Sequence, residues 1–110
     1  MASRVYLVQI RFADGADQRR ILESMREIND LLSRMSESGA RIAWTAAENQ
    51  MVGLLLKSEK PARAIFNEIH SPMTSTASPF LSGDQAIVLE VGEDMAGNGF
   101  SSCWAFLQHR

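Results

Sequence analysis

From Val5 to Phe12 the chain alternates, with Tyr6, Val8, Ile10 and Phe12 on one side and Val5, Leu7, Gln9 and Arg11 on the other. A period of two in a stretch rich in β-branched and aromatic residues predicts a strand. Ala13-Asp14-Gly15 breaks it. The period then lengthens: Ile21, Leu22, Met25, Ile28, Leu32 and Met35 recur at helical spacing between Asp17 and about Ser38. One apolar stripe of that kind predicts a long helix, with Arg19, Arg20, Glu23, Arg26, Glu27, Asp30 and Arg34 on its wet face. Asp14 or Asp17 can cap its start by accepting from first-turn amides, and Gly39 suits the left-handed residue that ends it.

Two further extended runs follow, Arg41 to Ala47 and Gln50 to Lys57, separated only by Glu48-Asn49. So short a link predicts an antiparallel hairpin. Ile42 and Trp44 share one face of the first run, and Val52, Leu54 and Leu56 share one face of the second. Ser58 reads as a cap for a second helix, with Pro61 in its first turn and Ala62, Ile65, Phe66 and Ile69 as its buried stripe. Pro72 stops that helix, and Ser71 to Gln85, rich in Ser, Thr and Pro, reads as a loop. Ala86 to Gly92 predicts the last strand, Glu93 to Gly99 a turn, and Phe100, Trp104, Phe106 and Leu107 an apolar tail.

The order β-α-β-β-α-β around a central hairpin predicts an α+β, ferredoxin-like two-layer sandwich with an apolar C-terminal extension. Two helices then cover one face of a four-stranded antiparallel sheet. With Tyr6, Val8, Ile10 and Phe12 toward the helices, alternation sends Leu7 outward, together with Met51, Gly53, Leu55 and Lys57 of the third strand and Ala86, Val88 and Glu90 of the fourth. That face is apolar at its centre and charged at its ends. Bare apolar patches of this size are uncommon on monomers. Leu7, Met51, Leu55 and Val88 are therefore expected to form a homodimer face, alone or with the C-terminal tail. RNA-binding sheets stack bases on aromatic residues of their central strands. The outward positions here are aliphatic or small, and Trp44 and Tyr6 are expected in the core.

Length narrows the picture to one domain spanning residues 1–110. At this size roughly 65% of the unfolded chain's surface is buried, enough for a core without staples. An apolar fraction of 45% and a charged fraction of 22% are those of a globular protein. A net charge of −2 supplies no global field for nucleic acid. The single Cys103 allows no internal disulfide and no cysteine-based metal cluster, and fits a reducing compartment. The run after Met1 is too short for a signal peptide, and no segment approaches the ~20 residues of a membrane span. The expected location is the cytoplasm, with no membrane association.

Candidate chemistry is sparse. His70 closes the second helix, where a histidine interacts with terminal carbonyls, and His109 lies beside the C-terminus. Cys103 next to Trp104 is expected to be a small buried apolar residue, since no third group completes a thiol pair with His109. Asp14, Asp84, Glu90, Glu93 and Asp94 fall near strand ends or turns, where acids are ordinarily solvated, and their spacing matches no metal loop. Gly97-Asn98-Gly99 lacks the strand-loop-helix context of a phosphate loop. Arg4, Arg11 and Arg41 are the candidate phosphate contacts should the chain bind nucleic acid. No catalytic residue, cofactor or metal is expected.

Ile87-Val88-Leu89-Glu90-Val91, followed by Gly99-Phe100-Ser101-Ser102-Cys103-Trp104-Ala105-Phe106-Leu107, resembles the small ferredoxin-like proteins called SinR-like, relatives of the CRISPR-associated adaptation nuclease subunit. The specific likeness covers about the last quarter of the chain. It implies a homodimer of two ferredoxin-like sheets. In the nuclease relatives, an aspartate directly after the first strand's Tyr or similar residue is tied to metal-dependent cleavage. Here Gln9-Ile10-Arg11-Phe12 stands at that point and Asp14 follows two residues after Phe12. An arginine cannot ligate a cation, so the resemblance carries over fold and dimerisation but no catalytic residue. The leading expectation is a non-enzymatic homodimeric interaction or accessory protein of the prokaryotic cytoplasm. The alternatives are a divergent metal-dependent nuclease or nucleic-acid binder of the same fold, and a dimeric α+β barrel sensor or monooxygenase-like enzyme.

Overall fold

The computed structural model describes residues 3–71 and 78–92. In chain order they form β1 (Arg4–Arg11), α1 (Gln18–Arg34), β2 (Arg41–Ala46), β3 (Met51–Ser58), α2 (Ala62–His70) and β4 (Gln85–Val91). The strands make one antiparallel sheet in the order β2-β3-β1-β4. The fold is α+β. The calls on Cys103, His109, Glu93, Asp94, Gly97-Asn98-Gly99, Pro72 and the apolar tail lie outside the described residues.

β1 is the central strand and its alternation organises the core. Tyr6, Val8, Ile10 and Phe12 are almost wholly buried and join Val52, Leu54 and Leu56 of β3 in a single cluster. Ile21, Ile28, Leu31 and Leu32 of α1 and Ile65 and Ile69 of α2 complete that cluster, so both helices lie on the same side of the sheet. The Tyr6 hydroxyl reaches past this layer and donates to the Lys60 carbonyl at 2.7 Å.

α1 differs from expectation at its stripe and at its end. Asp17 is the N-cap and accepts from the Arg19 amide. The buried side runs through Ile21, Ser24, Ile28, Leu31 and Leu32, while Leu22 is exposed. Arg20, expected in water, turns inward. The helix ends at Arg34, and the Met35 amide bonds the carbonyls of Leu32 and Ser33. Serines then take over the backbone: Ser33 Oγ accepts from the Ala40 amide, and Ser36 Oγ donates to the Gly39 carbonyl at 3.1 Å. Such local bonds compete with helical ones. Gly39 does adopt a left-handed conformation, φ +87°, five residues beyond the helix.

β2 carries a bulge. Ile42 pairs with Leu54 and Trp44 with Gly53, leaving Ala43 as the extra residue. Ile42 and Trp44 therefore point to opposite faces, and Trp44 lies on the outer face instead of in the core. The hairpin that follows holds Ala47, Glu48 and Asn49 at positive φ, between 52° and 69°. Two consecutive positive φ values at its centre match the twist of the flanking strands. α2 starts later than expected, with Pro61 as N-cap, while Ser58 closes β3 and its Oγ accepts from the Lys60 amide.

β4 is reversed relative to expectation. Val88 pairs with Val8 and Ala86 with Ile10, and both pack against the core. Ile87, Leu89 and Val91 take the outer face.

Among the described residues, Gly53 is the glycine that a close side-chain approach most clearly demands. A Cβ there would fall inside the Trp44 indole, nearest Nε1. Gly53→Ala is predicted to push the indole off the sheet and to cost about 1–3 kcal/mol. In a Trp104→Phe background, the emission of Trp44 should shift to the red. Unaltered emission and stability would show that the indole does not rest on Gly53.

Candidate functional site

The outer face of the sheet is assembled in rows across three strands. Val5 lies between Lys57 and Val91, Leu7 between Leu55 and Leu89, Gln9 between Gly53 and Ile87, and Arg11 between Met51 and Gln85. β2 adds Arg41 opposite Leu55, and Trp44 across Gly53. The centre is thus a band of leucines with an indole and an isoleucine beside it, and the cations stand at the ends.

The two halves of this face differ in exposure. Val5 and Leu55 are 2% and 4% exposed although neither belongs to the core cluster, whereas Ile87 and Leu89 are 51% and 49% exposed. The open half is the β4 half. Among the described residues β4 is also an edge strand, with β1 on one side only. A cleft of about 520 Å³ runs along it, lined by Ala62, Arg63, Phe66, Ala86, Ile87 and Val88. A smaller one of about 330 Å³ lies on the outer face, where Gln9, Arg11 and Met51 meet the start of β4.

Of the expected face residues, Leu7, Met51 and Leu55 share the outer side, and Val88 does not. Its side chain belongs to the helix side because its pairing partner is Val8. Alternation could not find this, since β4 is apolar on both parities. Ile87 and Leu89 are the residues that stand in its place.

The three candidate arginines are not brought together. Arg4 and Arg11 sit at opposite ends of β1, roughly 24 Å apart at strand rise. Arg11 pairs with Asp14 at 2.9 Å, and Arg4 lies 3.9 Å from Glu90. The Tyr6 hydroxyl, and after it the Glu90 carboxylate, hold the Arg4 guanidinium above its ordinary range. Arg41 stands on β2, exposed, across from Leu55.

One polar cluster escaped the sequence altogether. Asp84, taken for a wet turn acid, has a fully buried side chain. One carboxylate oxygen accepts from the Ala13 amide at 2.8 Å, and the other accepts from the Leu81 amide at 2.7 Å and from Arg20. The Arg20 guanidinium lies over the Phe12 ring, 5.1 Å from its centroid. This arrangement ties the segment before β4 to the β1–α1 junction. Both oxygens are occupied, so its chemistry is that of a tether and not of a general base.

Elsewhere, His70 is stacked between Phe66 and Phe80, with ring centroids at 5.3 and 5.8 Å. Asp14 accepts from Arg11 and from Gln50 Nε2. No three His, Cys, Asp or Glu side chains gather in a metal-binding group among the described residues. The space between sheet and helices is filled by the core cluster. A further cleft, about 370 Å³, lies between the helices, where Leu31, Arg34 and Met35 face Ala64, Asn67 and Glu68. No helix among the described residues is long and apolar enough to cross a membrane.

No family model matches the chain, and no match to it was found among the curated proteins or the solved structures. The tether makes a prediction of its own. Asp84→Ala leaves Arg20 facing a buried gap and two amides without acceptors, a loss of about 2–4 kcal/mol. Urea denaturation should show it. A midpoint unchanged from the parent would mean the carboxylate does not hold the segment.

Proposed function

We propose that the chain is a ferredoxin-like interaction module that acts as a homodimer, an accessory protein of the prokaryotic cytoplasm and not an enzyme. The observation that carries this reading is the β4 half of the outer face. Ile87 and Leu89, each about half exposed, flank a leucine band on an edge strand. Large aliphatic side chains in such a place are stabilised by a protein surface and penalised by water. The element order and the resemblance of Ile87-Val88-Leu89-Glu90-Val91 to the SinR-like group support the same reading.

Magnitude limits what side chains alone can supply. Burying the exposed half of Ile87 and Leu89 is worth about 1 kcal/mol each, or about 4 kcal/mol over two copies. Association costs about 4–15 kcal/mol in lost translational and rotational freedom. A stable pair therefore needs further contacts, and main-chain pairing along β4 between Gln85 and Glu90 is the nearest source.

Light scattering coupled to size exclusion tests the reading. The prediction is a mass of twice 12.2 kDa at micromolar concentration. A monomer throughout that range would sink it. Gel shifts with single- and double-stranded RNA and DNA address the phosphate-binding alternative. No retention is expected at low salt, and binding that weakens steeply with salt would favour Arg4, Arg11 and Arg41 as contacts instead.

A further inference from the structure

Among the described residues, the two edges of the sheet are unlike. β2 is blunted: a bulge at Ala43 interrupts its register and Arg41 stands at its start. Bulges and edge charges are the usual protection against unwanted strand pairing. β4 has neither. Its sequence, Gln-Ala-Ile-Val-Leu-Glu-Val, contains no proline, lysine or arginine, and its register with β1 is unbroken. A largely apolar, regular edge from Gln85 to Glu90 is a template for another strand.

We propose that two copies of this chain pair through their β4 edges, antiparallel, with Val88 on the two-fold axis. The inference rests on the homodimer reading above and specifies its contact. A two-fold between neighbouring antiparallel strands stands perpendicular to the sheet, so both copies keep their helices on the same side. Residues then face each other in pairs whose numbers sum to a constant. With Val88 on the axis, Ile87 meets the partner's Leu89, and the two half-exposed aliphatic residues cover one another on the outer face. On the helix side, Ala86 meets the partner's Glu90.

Charge selects this register. Ala86 shares its cleft with Arg63, an exposed residue of α2. The partner's Glu90 therefore arrives beside Arg63, and the symmetry makes this contact twice. Centring the axis on Ile87 would instead set the partner's Glu90 against Asp84. Centring it on Leu89 would set it against Val88, an apolar neighbour. Glu90 lies 3.9 Å from Arg4 of its own chain, and only the Val88 register adds a second cation to it while giving each exposed aliphatic an aliphatic partner. The cleft beside Arg63 and Phe66 is where the partner's strand runs.

Charge reversal tests this without depending on any single variant folding well. Arg63→Glu places two acids together at both symmetric contacts, and Glu90→Arg places two cations together. Each variant alone is expected to weaken self-association about 30-fold or more, from like-charge contacts made twice. Mixing the two variants restores complementary charges at both contacts, and the mixture is expected to dimerise within about threefold of the parent chain, read by light scattering or sedimentation on dilution. A parent chain that is monomeric would overturn this pairing together with the homodimer reading. A dimeric parent whose variants both remain dimeric, or whose mixture fails to recover, would overturn the β4 pairing and leave the homodimer reading standing.

Discussion

The central position of β1 is the constraint on which the rest of the molecule depends. It is bonded on both sides, so its alternation dictates the facing of every residue opposite it. Tyr6, Val8, Ile10 and Phe12 take the helix side, where two amphipathic helices shut out water. Leu7 is then committed to the other side, with Leu55 and Leu89 in the same row. A slip of one residue would send Gln9 and Arg11 into the core, at a cost far beyond the stability of a small domain. The apolar outer face is thus a consequence of how the core is built.

Much of this was legible because β1, α1 and β3 each display one period strongly. Val52, Leu54 and Leu56 sit on the core side as their spacing required. The failures have specific causes. Arg-Ile-Ala-Trp-Thr-Ala reads as clean alternation, and nothing in it announces that Ala43 is bulged, so alternation alone puts Trp44 on the wrong face. Gln-Ala-Ile-Val-Leu-Glu-Val is apolar on both parities, and only its pairing with β1 decides that Val88 faces inward. Asp84 sits in Ser-Gly-Asp-Gln, a sequence typical of wet turns. Its burial comes from Arg20, 64 residues earlier in the chain, which no local pattern reveals.

The outer face itself is organised by these unread features. Because Trp44 points outward, Gly53 must lack a side chain, and the indole rests over it on the β2 side of the sheet. Because β4 turns Ile87 and Leu89 outward, the opposite side stays open. The Asp84 tether fixes the residues leading into β4 and so holds that strand in register beside β1. The β4 side of the face and the β2 side, at opposite margins of the described sheet, are thus unlike.

Amide hydrogen exchange across β4, followed over a range of protein concentrations, tests most directly whether the open half of the face is covered by a second chain. Alternate amides of an unpartnered edge strand point into water and exchange fast. The account predicts slow exchange between residues 85 and 90 at micromolar concentration, quickening on dilution. Fast exchange of those alternate amides at every concentration would contradict it.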